Sequence, residues 1–118
     1  MPGFTLTPGA DVAAAQSELE RTLRDVPPGL ADRVLIAVGE IVANSAEHGQ
    51  GSVTITWRRV GGGVEVRVAG PGPDVRQIRD ATLPPEGAVR GRGLFLIRTL
   101  ATRVEPGPDG LLLWFSPV

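Results

Sequence analysis

The chain contains no cysteine and no lysine, and its one histidine is His48. Without cysteine there is no disulfide, no thiol nucleophile and no cysteine-held metal. Without lysine there is no Walker-type phosphate loop and no Schiff-base chemistry. A lone histidine excludes a zinc site built from several imidazoles. No apolar run approaches the ~20 residues of a membrane span. The start of the chain lacks a signal-peptide pattern, so a cytoplasmic location and no membrane partner are expected. Neither sign of charge is in excess: the net charge is -1, which leaves no electrostatic footprint for direct nucleic-acid binding. All twelve basic residues are arginine, in a chain rich in Ala, Gly and Pro. That composition is typical of a high-GC bacterial genome.

What is present is one domain's worth of chain, 118 residues with 42% hydrophobic content, enough to bury a core. Its centre is VLIAVGEIVANSAEHG at 34–49. Leu35, Ile36, Val38, Ile41 and Val42 leave little room for a solvated side, so a helix buried against a sheet is expected. Glu40 and Asn44 interrupt the apolar run four residues apart, one above the other on one side of the helix. Burying such groups without partners costs about 1–3 kcal/mol for the amide and more for the charge. One reading is a pocket in which Glu40 is a base and Asn44 offers an oxygen to a metal or phosphate. The other is a groove edge where loops satisfy both. His48 continues the ridge, and near a helix end it is expected to meet the last carbonyls rather than take part in catalysis. Gly49 supplies the φ > 0 position that ends helices.

Along the chain, FTLT at 4–7 reads as an edge strand. A helix is expected over about 11–26, capped by Asp11, with Val12, Ala15, Leu19, Leu23 and Val26 on one face. Pro27, Pro28 and Gly29 break it, and the central helix then starts near Leu30. SVTITWRRV at 52–60 and VEVRVA at 64–69 alternate as antiparallel neighbours around Gly61-Gly62-Gly63, with Val53, Ile55 and Trp57 on one side of the first and Val64, Val66 and Val68 inward on the second. A short helix at 74–80, a loop at 81–90, a helix at 91–101 and a last hairpin over 102–105 and 111–116 complete the order. The fold class is α/β: a two-layer sandwich, its sheet mixed or mostly antiparallel, with helices on one face.

Two glycine segments flank the loop. GPGPD at 70–74 follows a strand, and GRG at 91–93 opens a helix. Glycines at a helix start let backbone N–H groups approach a phosphate, and Arg92 adds positive charge. Either segment alone reads best as a turn. Combined with Glu40 and Asn44 they form a more specific set. GEIVANSAEHG at 39–49, VEVRVAGPGPD at 64–74, GRGLFLIRTLA at 91–101 and GLLLWF at 110–115 together resemble the histidine-kinase-like (GHKL, Bergerat-fold) ATPases. The nearest likeness is to the small bacterial anti-sigma factor serine/threonine kinases.

The resemblance implies a Bergerat-type sandwich that binds ATP with Mg2+. It makes Glu40 the catalytic residue that activates the attacking hydroxyl, and Asn44 the metal ligand. Gly70 and Gly72 become the first glycine motif. Gly91, Arg92, Gly93 and Leu94 become the phosphate-binding turn, and about 74–90 the ATP lid. It implies partner switching between a sigma factor and an antagonist protein whose serine is phosphorylated, and it allows a homodimer. Two positions depart from the pattern. Val68 stands where the family has an Asp that bonds the adenine amino group, and Leu112 falls where a Thr faces the base. Losing one such contact costs about 1–3 kcal/mol, or ~10- to 100-fold in affinity. Two readings follow: an ATP-dependent protein kinase of the anti-sigma type, or a non-catalytic protein-binding module on the same fold that has lost normal ATP binding.

Overall fold

The computed structural model describes residues 3–6, 12–48, 51–82, 85–86 and 92–117. The elements run β1 (Gly3–Leu6), α1 (Val12–Thr22), α2 (Pro28–His48), β2 (Val53–Val60), β3 (Gly63–Ala69), α3 (Val75–Arg79), α4 (Arg92–Leu100), β4 (Arg103–Gly107) and β5 (Gly110–Phe115). The strands form one five-stranded sheet in the order β1-β2-β3-β5-β4. Every pairing among the described residues is antiparallel, so the sheet is not mixed.

Side-chain alternation decides which face of the sheet is covered. Val53, Ile55 and Trp57 of β2, Val64, Val66 and Val68 of β3, Val104 of β4, and Leu111, Leu113 and Phe115 of β5 are all buried. They join Leu19, Val34, Val38, Ile41, Val42, Ile78 and Ile97 from the helices in a single core. The alternate residues, Thr54, Thr56, Arg58, Glu65, Arg67, Leu112 and Trp114, are half-buried or exposed. The helices therefore cover one face, and the other is open. The one polar atom on the buried Trp57 is satisfied: its indole N–H donates to Thr22 Oγ1 at 2.9 Å. Among the described residues no helix is long and apolar enough to cross a membrane.

Two boundaries and one burial differ from expectation. α1 ends at Thr22, and Leu23 to Val26 form a turn that still buries Leu23 and Val26. The residue before a proline is biased away from the helical region, and Val26 precedes Pro27. Pro28 and Gly29 belong to α2 rather than breaking the chain ahead of it. The Pro27 carbonyl accepts the first intrahelical bond, from Ala31 N at 2.9 Å. Pro28 thus occupies the first helical position, where its missing N–H costs nothing and its fixed φ suits the helix. Ile36, expected inside, is 48% exposed. α2 therefore has a solvent side after all, shared by Asp32, Ile36 and Ala43.

On the open sheet face Glu65 sits between two arginines, accepting from Arg58 Nε at 2.9 Å and Arg67 Nε at 3.2 Å. The hydrogen bond from Arg58 holds the Glu65 carboxyl below its ordinary pKa, helped by the charges of Arg58 and Arg67 and opposed by burial. A carboxyl depressed in the folded state contributes stability above its unfolded pKa and loses it as pH falls through the folded value. Glu65→Gln should therefore lower the melting temperature by a constant amount near neutral pH. The gap to wild type should narrow once pH drops below the ordinary carboxylate value of about 4.3. Melting curves of both proteins across that range check this.

Candidate active site

The central helix sets the geometry. Val34, Ala37, Val38, Ile41 and Val42 are fully buried and fix how α2 is turned about its axis. At about 100° per residue, Glu40 and Asn44 lie within roughly 60° of Ala37, on one border of the buried stripe. Both are half-buried, and no polar or charged residue among those described is fully buried. The pair is not sealed in the core. It lies on the border of the buried stripe, so full desolvation is avoided.

Glu40 faces α4. A Cβ placed on Gly93 would stand 2.8 Å from Glu40 Oε2 and 3.7 Å from its carboxyl carbon. Gly93 is the second residue of α4, so the carboxylate lies at the helix start, where N–H groups lack intrahelical partners. α4 has no acidic residue in its own first turn. The negative charge that suits the positive end of the helix dipole comes instead from α2. Arg92 opens the helix with an exposed side chain, while Leu94 is half-buried and packs on the core. Gly91 lies outside the described residues, as do Gly49 and the side chain of His48.

The first glycine segment has a different local role. Gly70 has φ +114, and a Cβ there would run into the Ser52 carbonyl oxygen. Its N–H donates to Asp109 O at 3.2 Å, tying the end of β3 to the β4–β5 turn. Gly72 is exposed, with nothing within 4 Å of the place a Cβ would take. The segment after it is docked rather than loose over its first part. Asp74 and Gln77 form a reciprocal capping box on α3, and Ile78 is fully buried. Arg79 donates to Val104 O at 2.6 Å, and Arg98 to Ala81 O at 2.5 Å. The span expected as a lid over about 74–90 therefore begins with an anchored helix. The capping box carries a local signal, Asp-x-x-Gln, which the reading of 74–80 as a short helix did not use. The two arginine ties carry none, because their acceptors are backbone carbonyls far along the chain.

The base end of the expected pocket needs a correction. Val68 pairs with Leu111 on β5, and Leu112 pairs with Arg67. Directly opposed residues share a face, so Leu112 points to the open side of the sheet and cannot face the same space as Val68. The residue beside Val68 is Leu111, 2% exposed, and Val68 itself is 4% exposed. The inner surface at this end is packed aliphatic side chain.

A profile of the histidine kinase-like ATPase domain matches residues 4–116. The chain belongs to that family. No curated protein matches it. Domains of the family bind ATP with Mg2+, and the residues present fit that group at one end. Magnesium is usually held by one or two protein oxygens plus phosphate oxygens and water. A single amide oxygen from Asn44, one helical turn from Glu40, is a donor set of that kind. Among the described residues no cluster of three or more His, Cys, Asp or Glu could hold a metal alone. At the base end, Val68 offers no acceptor for an amino group.

The two first-motif glycines should separate cleanly. Gly70→Ala should cost about 1–3 kcal/mol, from left-handed backbone strain and the clash with Ser52. Gly72→Ala should stay within about 0.5 kcal/mol of wild type. Urea unfolding of both variants measures the difference.

Proposed function

We propose that this ATPase-family domain is a regulatory protein of the anti-sigma type. It would transfer phosphoryl groups from Mg-ATP to a serine of a partner and act by partner switching. The observation that carries the reading is the Glu40 carboxylate set against Gly93 at the start of α4, with Asn44 one turn further on. In this arrangement Glu40 accepts the proton of the partner's serine hydroxyl as its oxygen attacks. The Asn44 amide oxygen is the protein's ligand to magnesium. Arg92 and the free N–H groups at the α4 start offset the charge of the phosphates. Bound Mg-ATP supplies the transferable phosphoryl group. The partners, a sigma factor and an antagonist protein, come from the sequence resemblance, as does the serine specificity.

A specific observation favours a second reading. Val68 is packed beside Leu111 where an adenine-binding relative has a carboxylate. On this reading the domain keeps the family's partner-binding role without normal ATP binding. An intermediate case joins the two: the phosphate end works and the base is read weakly.

Thermal stability with added nucleotide separates these. A ligand at 100 times its Kd stabilises by ~2.7 kcal/mol. On the kinase reading, millimolar Mg-ATP raises the melting temperature. Because no side chain at Val68 reads the amino group, Mg-GTP should give a shift close to that of Mg-ATP. Glu40→Gln should keep that shift and lower transfer to a partner serine by about 10²–10⁴-fold. No shift with either nucleotide at millimolar concentration removes the kinase reading and leaves the binding module.

A further inference from the structure

Gly93 poses a question that its place in a phosphate-binding turn does not answer. It lies inside α4, whose bounds are Arg92–Leu100, and its φ is not positive. Backbone freedom is therefore not what requires glycine there. Within a helix glycine is less favourable than alanine. The three nearest atoms to the place a Cβ would occupy, among the described residues, all belong to Glu40: Oε2 at 2.8 Å, the carboxyl carbon at 3.7 Å and Cβ at 3.8 Å. The last two are ordinary contacts; the first is too close for a methyl group. Of the other helical glycines, Gly29 meets nothing within 4 Å and Gly39 meets Gln16 Nε2 at 3.2 Å among the described residues. The missing methyl at Gly93 is thus matched to one carboxylate oxygen.

We infer that Gly93 is a positioning residue for Glu40: its bare α-carbon is the seat that holds the carboxylate at the start of α4. This deepens the kinase reading and rests on it for its catalytic consequence, though the seat itself does not. The atom displaced by a methyl is the far end of a flexible side chain. Alanine at this position should therefore fold well and evict the carboxylate by rotating Glu40 away. The general base is then misplaced while the backbone N–H groups of the α4 start remain where they were.

The test is a double-mutant cycle on the full chain, with three readouts. In melting temperature, Gly93→Ala in a Glu40→Ala background should behave as an unopposed helix substitution and raise the midpoint by about 2–4 °C. With Glu40 present the same change should give no rise, or a fall. In a crystal structure of Gly93→Ala, the Glu40 carboxylate should have left its position beside residue 93. In kinetics, Gly93→Ala should lower kcat for transfer by at least about tenfold with the Kd for Mg-ATP within about threefold, and should add nothing in the Glu40→Ala background. Equal shifts in melting temperature in both backgrounds, with Glu40 unmoved in the crystal, would overturn the seat. So would a loss of Mg-ATP affinity as large as the loss of kcat, which would make Gly93 a phosphate contact only. If wild type performs no transfer, the kinase reading fails by itself, and the melting cycle and the crystal structure still decide the seat.

Discussion

One helix face governs the molecule. Val34, Ala37, Val38, Ile41 and Val42 lock α2 against the inner side of the sheet with no accessible surface. Once that stripe is buried, α2 cannot rotate. Gly39 then meets Gln16 of α1 on one flank, and Glu40 meets Gly93 of α4 on the other. The polar pair takes its direction from the apolar side chains beneath it. Interiors packed at crystal density deform little, which is how a core can hold a carboxylate on a surface ridge at a fixed angle to a neighbouring helix.

The two ends of the expected nucleotide site are built from unlike materials. At the phosphate end, half-buried polar groups adjoin a helix start, where charge can be stabilised without full desolvation. At the base end, Val68 and Leu111 face each other across β3 and β5 as part of the core. A carboxylate placed there would have to be paired or exposed, whereas a valine simply adds to the burial.

Much of this was legible from the residues. Alternation at Val53, Ile55, Trp57 and at Val64, Val66, Val68 identified β2, β3 and the inward face of β3. The spacing of Glu40 and Asn44 placed them on one ridge. Other features depend on contacts that local patterns do not encode. Ile36 looks like core because its neighbours are apolar, but its exposure depends on which stripe the sheet selects. Leu112 was assigned inward by matching a motif along one strand. Strand pairing has a period of two, so the Val68–Leu111 register reverses every face assignment made one residue off. The insertion of β5 between β3 and β4 is likewise a non-local choice. Pro28 misled because a proline that ends one helix equally well begins the next.

The central claim is spatial: the acid and the amide of α2 share a metal–phosphate site with the first turn of α4. Paramagnetic broadening tests it directly, with Mn2+ carried in by ADP in place of magnesium. The account predicts that the amide signals of Arg92 and Gly93 and the side-chain amide of Asn44 fade first, and only when nucleotide is present. The Trp114 indole and the Arg67 amide on the open sheet face should keep their intensity. Broadening centred on that open face, or none at Asn44 and Gly93 with Mn2+ and nucleotide both in millimolar excess, would contradict it.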